Sequence, residues 1–249
     1  MTFRTSRFLP GVPADRIISL LALAGGNEIE NGKLDSPESS AALAVNAFGW
    51  FLDRPADLPT FPPLADLNWP AQRVDIERQM RFPWRGGRHP WLDAALETPT
   101  HLIGIESKRF EPFRDAKTVN LSDAYDRDVW GDGMAPFTFM RDALRRRDAV
   151  FTYLDAAQLV KHAFGLVTEG NRIGKAPVLL YLYAEPDKRE TSAISPETLA
   201  RHRAEIASFA IDVAGATVRF ASCSYREWFD GWTGDACLHA GAIIDRFHP

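Results

Sequence analysis

Two acids and a lysine, Asp93, Glu106 and Lys108, are the residues of this chain whose types and spacing can do chemistry. Glu106 and Lys108 close the run His101-Leu-Ile-Gly-Ile-Glu-Ser-Lys108, which reads as an apolar β-strand. Side chains alternate along a strand, so Leu102, Gly104, Glu106 and Lys108 share one face and Ile103, Ile105 and Ser107 the other. Glu106 and Lys108 then stand roughly 6.6 Å apart along the strand. Asp93 falls in Trp91-Leu-Asp-Ala-Ala-Leu96, a second strand, and Glu97-Thr-Pro-Thr100 between the two reads as a short hairpin loop. Pairing Leu96 with His101 sets Asp93 opposite Gly104 and Trp91 opposite Glu106. Asp93 and Glu106 become diagonal neighbours about 7–8 Å apart, with Gly104 leaving room for an ion. Carboxylates so placed can converge on Mg²⁺ with ligand bonds of about 2.0–2.1 Å. A one-residue slip would turn Asp93 to the wrong face.

An ion held by two acids can act as Lewis acid and activate water toward a phosphodiester. Lys108 would orient or deprotonate that water, or stabilise the developing negative charge; the sequence does not separate these roles. A Glu-x-Lys pair on a strand is more commonly a solvated face. The acid at hairpin distance is what favours a site here.

Local patterns predict the elements that must position these groups. A helix from about Ala14 to Ala24, ended by Gly25-Gly26, is expected in place of a secretory leader. Ser36-Pro37-Glu38 reads as the start of a helix reaching about Leu52. A proline-rich connector follows over 55–70, then strands over 74–82, 91–96 and 101–108. Residues 109–150 read as an irregular insertion or lid. A helix over 154–167, a strand buried on both faces over 178–184, a helix over 196–213, an edge strand over 217–224 and a last helix over 235–247 complete the chain. One domain over 1–249 is expected, its core at about 36–225.

The 249 residues are 45% hydrophobic and 25% charged, ordinary for a globular protein, with a formal net charge of -4. A generally basic nucleic-acid-binding surface is thereby excluded, though not a local basic cleft. Cys223 and Cys237 lack metal-ligand spacing and suggest reduced thiols in the cytoplasm. No run approaches the roughly 20 apolar residues of a membrane span. Zincin histidine pairs, nucleophile elbows and Walker loops are absent from the sequence.

Asp93 followed by Glu106-Ser-Lys108 resembles the PD-(D/E)xK, or restriction-endonuclease-like, nucleases. The run Gly104-Ile-Glu-Ser-Lys-Arg-Phe-Glu-Pro-Phe113 is similar to small bacterial members of that superfamily. So are Ser39 to Phe48, as the first helix, and Val178 to Pro186, as the fourth strand; the likeness spans about residues 28–225. Leu92 stands where the superfamily name has proline. The resemblance implies an αβββαβ core, a mixed central sheet flanked by helices, with additions at both ends. It implies Mg²⁺, or Mn²⁺ in its place, held by Asp93, Glu106 and the Ser107 carbonyl, with Lys108 catalytic and Gln158 bordering the site. It also implies a DNA substrate in a restriction or defence setting, and is compatible with a homodimer. Glu38 is a candidate extra carboxylate, or else a dipole-favoured surface acid. Arg141, Arg145, Arg146 and Arg147, with Arg85 and Arg88, are either phosphate contacts or a solvated face. Phe110, Phe113, Trp130 and Phe137 read as core before base-stacking surfaces, and Ser40 and Asn46 as packing or capping residues. The rival functions are a catalytically silent nucleic-acid-binding module on the same fold and a protein-interaction module.

Overall fold

A strand paired on both edges and packed on both faces is apolar throughout, and Pro177-Val-Leu-Leu-Tyr-Leu-Tyr183 is such a segment. It forms β4 (Ala176–Tyr183) of a five-stranded sheet in a computed structural model that describes residues 7–24 and 32–249. The strands β1 (Arg73–Gln79), β2 (Trp91–Glu97) and β3 (His101–Lys108) precede it, and β7 (Arg219–Ser224) closes the far edge. The order is β1-β2-β3-β4-β7. The first three strands are antiparallel, and β3, β4 and β7 run parallel. Residues Lys188–Arg189 (β5) and Ser192–Ala193 (β6) pair separately.

The helices are α1 (Ala14–Leu23), α2 (Ser40–Gly49), α3 (Glu111–Arg114), α4 (Ala135–Arg146), α5 (Ala156–Ile173), α6 (Pro196–Asp212), α7 (Tyr225–Phe229) and α8 (Gly234–Phe247). Apolar side chains gather in two clusters, one on each side of the sheet. The first joins α1, α2, α7 and α8 to Val74, Ala94, Ile103 and Leu180. The second joins α4, α5 and α6 to Ala95, Leu102 and Leu179. The succession α2, β1, β2, β3, α5, β4 is the expected αβββαβ core. Among the described residues, no helix is long and apolar enough to cross a membrane. The Gly25-Gly26 stop lies outside the described residues.

Three expectations need correction. The second helix starts at Ser40, capped by Ser39 Oγ accepting from Ala42 N–H at 3.0 Å. Ser36 reaches only Glu38 N–H, at 3.3 Å. The segment 109–150 is not irregular throughout, because α4 buries Phe137, Met140 and Leu144 at helical spacing.

The third concerns register. The β2–β3 pairs are Ala94↔Ile105, Ala95↔Gly104, Leu96↔Ile103 and Glu97↔Leu102, two residues away from the expected pairing. The connection is shorter than expected: Thr98 N–H donates to His101 O at 3.0 Å and His101 N–H to Thr98 Oγ1 at 3.1 Å. A slip of two preserves each face of the paired stretch, which extends toward Asp93 opposite Glu106 although the ladder itself ends at Ala94↔Ile105. The role expected of Gly104 does not survive. A Cβ there would meet Leu92 Cδ1 at 2.3 Å and Leu166 Cδ2 at 2.8 Å, so glycine makes room for packing and not for an ion. Gly104→Ala is expected to destabilise the fold by about 1–3 kcal/mol, read as a lower urea midpoint at unchanged slope.

Candidate active site

Alternation fails in one row of the sheet. On β2, Ala94 and Leu96 pack in the first cluster while Leu92 joins the second. On β1, Val74 and Ile76 belong to the first cluster and Met80 to the second. Between them sits Glu77, held at φ 51°, a left-handed conformation that costs a side-chain-bearing residue energy. The flanking pairs Ile76↔Ala94 and Arg78↔Leu92 place Glu77 and Asp93 in that row. Both strands therefore change faces at the level of Asp93.

The β2–β3 ladder stops at the same level. Beyond Ala94↔Ile105, Ser107 N–H donates to Asp93 Oδ2 at 2.6 Å. Glu106 Oε1 lies 2.5 Å from Lys108 Nζ, and Glu106 Oε2 lies 2.8 Å from His162 Nε2 on α5. The other face of β3 is tied down separately: Ser107 Oγ and Tyr225 OH are 2.6 Å apart. The predicted Asp93, Glu106, Ser107 and Lys108 are thus brought together, with the Ser107 main chain between the two acids.

Gln158 joins them. Its own N–H donates to the capping Asp155 Oδ1 at 2.9 Å. With Lys108, Glu111, Lys117 and Tyr181 it walls a cavity of about 170 Å³. Glu38 does not join: it pairs with Arg114 at 3.2 Å and Arg189 at 2.8 Å, and it precedes α2 and so is not in its first turn. Ser40 Oγ donates to Glu111 Oε1 at 2.5 Å, and buried Asn46 accepts from Leu9 N–H at 2.7 Å, so both serve packing. Arg141 and Arg145 are bonded to the 121–126 segment and Arg146 pairs with Asp148 at 2.7 Å, leaving Arg147 as the member of that cluster without a partner among the described residues. Of the candidate stacking aromatics, Phe110, Trp130 and Phe137 are buried.

His162, Lys117 and Tyr181 were not singled out from the sequence. His162 follows Gln158 by four residues, one helical turn along the same face, and that spacing was the readable signal.

Charge is concentrated here with little water to screen it. Burial pushes the Asp93 carboxyl well above its ordinary range, the Glu106 charge pushes it further, and Lys108 offsets part of this. Burial acts the same way on Glu106, but Lys108 and then His162 outweigh it and keep that carboxyl ionised. Lys108 is desolvated too, yet Glu106 and then Asp93 raise it above its ordinary value, so it remains an ammonium.

These residues fit a divalent cation of the magnesium kind. Asp93 is an enclosed acid beside a second acid, destabilised as a charge, with one carboxylate oxygen committed to Ser107 N–H. Glu106 has both oxygens engaged, so an ion would share or displace a contact from Lys108 or His162. Among the described residues no group of three or more His, Cys, Asp or Glu is set to hold a metal.

A forked mixed sheet with this αβββαβ order, bearing an acid on β2 and Glu-x-Lys on β3, defines a restriction-endonuclease-like protein. The chain belongs to the family described as Restriction Endonuclease associating with ARP, whose sequence model matches residues 23–241. Searches of curated proteins and of solved structures found no match.

Proposed function

We propose that this protein is a metal-dependent nuclease that hydrolyses DNA phosphodiester bonds as a restriction-type or defence enzyme. The observation that carries the reading is the meeting of Asp93, Ser107 N–H, Glu106 and Lys108 at the end of the β2–β3 ladder. Mg²⁺ or Mn²⁺, held by Asp93, Glu106 and the Ser107 carbonyl, would supply Lewis acidity and a water of lowered pKa. Lys108, held 2.5 Å from Glu106, would orient or deprotonate the attacking water or stabilise the developing negative charge. Gln158, beside Lys108, orients substrate or water within the cavity. The free thiols of Cys223 and Cys237 suit a cytoplasmic setting.

The test is cleavage of plasmid, linear duplex and single-stranded DNA with Mg²⁺ or Mn²⁺. Lys108→Ala is expected to lower the rate by about 100-fold or more with its circular dichroism unchanged. Equal behaviour of variant and wild type on every substrate would overturn the catalytic reading and leave a silent module on this fold.

A further inference from the structure

A second pocket, of about 450 Å³, lies between the β1–β2 turn and α5. It falls within the range of roughly 300–1,000 Å³ that takes small ligands. Its turn-side wall is aromatic. Trp84, partly accessible, stacks on buried Phe82 with centroids 4.8 Å apart and planes at 28°, and Trp130 braces it edge-on at 5.5 Å. Arg127 places its guanidinium 4.5 Å from the Trp84 ring centre, as a cation over a π face does, so with Phe82 on the other face an incoming base stacks on Trp84 only by displacing this exposed arginine.

The pocket is cationic although the chain is acidic. Arg88 and Lys161 both line it, neither has an ion pair or hydrogen bond to a described residue, and Lys161 is half-buried. No Asp or Glu lines the pocket; Asp123, between the lining residues Ser122 and Ala124, is not part of the wall. A half-buried ammonium with no counter-charge favours an anion. His89 Nδ1 accepts from Phe82 N–H at 3.0 Å, which leaves its Nε2 to carry the ring proton as a donor. Asn120 adds an amide.

The position of this pocket links it to the site. Gln158 lines the Lys108 cavity and Lys161 lines this one, and residues three apart on a helix have Cβ atoms about 5–6 Å apart. Residues 115–117 wall the first cavity and Asn120, Ser122, Ala124 and Tyr125 the second, so one chain segment and α5 flank both. Pro90, in the pocket wall, leads within three residues to Asp93.

We infer that this pocket receives an unstacked nucleobase together with its phosphate, next along the strand from a scissile phosphate at Lys108. The substrate is then a single-stranded or locally melted nucleic acid, because bases within an intact duplex cannot reach a ring inside a pocket. This inference rests on the nuclease reading for its direction along the strand.

The experiment is fluorescence anisotropy with a labelled 12-nucleotide DNA strand and the matching duplex, in EDTA so that nothing is cut. The wild type is expected to prefer the single strand at least tenfold. Trp84→Leu is expected to weaken strand binding roughly 5- to 150-fold, the worth of one stacked base. Lys161→Ala, a substitution at the helix surface, is expected to weaken it several-fold and to flatten its salt dependence. A nucleoside monophosphate that binds with the same Trp84 dependence while the strand does not would assign the pocket to free nucleotide and overturn the strand path. Equal affinity for duplex, or single-strand affinity untouched by both substitutions, would overturn the inference while leaving metal-dependent cleavage standing. Strand binding as described, with no cleavage in any metal, would sink the nuclease reading alone.

Discussion

Asp93→Asn is expected to make the metal-free protein more stable while removing its metal-dependent activity. Asparagine retains an oxygen to accept the Ser107 N–H, the bond that Asp93 makes at 2.6 Å. It discards a charge that burial first, and then Glu106, make unfavourable. The gain should be roughly 1 kcal/mol, or about 2–4 °C in melting temperature for a chain of this size. Adding Mg²⁺ or Mn²⁺ should reverse the ranking. At a concentration 100 times its Kd an ion stabilises the wild type by about 2.7 kcal/mol, and the variant should gain little. Cleavage should fall by about 100-fold or more. Thermal melts with and without metal decide the matter. A variant less stable than the wild type in EDTA, or one equally stabilised by metal, would show that Asp93 is not held at an electrostatic cost for an ion.

The second large effect is a loss of stability on mild acidification, centred on His202. Its ring is fully buried, within 3.0 Å of the Tyr181 hydroxyl and edge-on to Phe113, Tyr181 and Tyr183. Burial first, then the charges of Lys117 and Arg203, depress its pKa from 6.5 to about 4. The folded state therefore binds this proton less tightly than the unfolded chain. His202 costs nothing above pH 6.5, and stability is lost as the pH falls from 6.5 toward 4. Between pH 7 and pH 5 the loss from this one group is about 2 kcal/mol. Urea unfolding at the two pH values should show it, and His202→Gln, which can still hydrogen-bond Tyr181, should shrink the difference by about that amount. Tyr181 pairs with Glu106 across β3 and β4, so acid failure at His202 would undermine the back wall of the candidate site.

What the sequence made readable followed from periodicity. The apolar run of β4 and the alternation in β3 placed the sheet, and the parity of the hairpin placed Asp93 with Glu106 even though the register was two residues out. Parity is robust because it depends on the strand pleat; register depends on a loop whose Thr98 side chain closes the turn in a way that composition does not signal. Helix α4 was readable in the sequence, since Phe137, Met140 and Leu144 stand at helical spacing, although Phe139 lies on its exposed face. Helix α7 was announced by Ser224-x-x-Glu227, a capping box whose bonds run in both directions, and its five residues were too short to show periodicity. The arginine run 141–147 was open to two readings, phosphate contacts or a solvated face; Arg141 and Arg146 answer their sequence neighbours Asp142 and Asp148, while Arg145 answers Asp126, which only the tertiary structure brings near. His162 reaches Glu106 across 56 positions of chain, a meeting that no local pattern encodes.

The origin of the site's parts in the chain has a consequence for how such proteins diversify. Asp93, Glu106 and Lys108 all belong to one hairpin and its immediate continuation, closed by a three-residue connection. Residues 109–134, by contrast, contribute walls to the pockets and no strand to the sheet. The reactive groups form a cassette fixed by neighbouring backbone, whereas the walls hang from a connecting segment outside the sheet, pinned to the core by Leu121, Tyr125 and Trp130. Evolution can therefore retarget such a protein by rewriting the walls, leaving the spacing of its two acids and its lysine untouched.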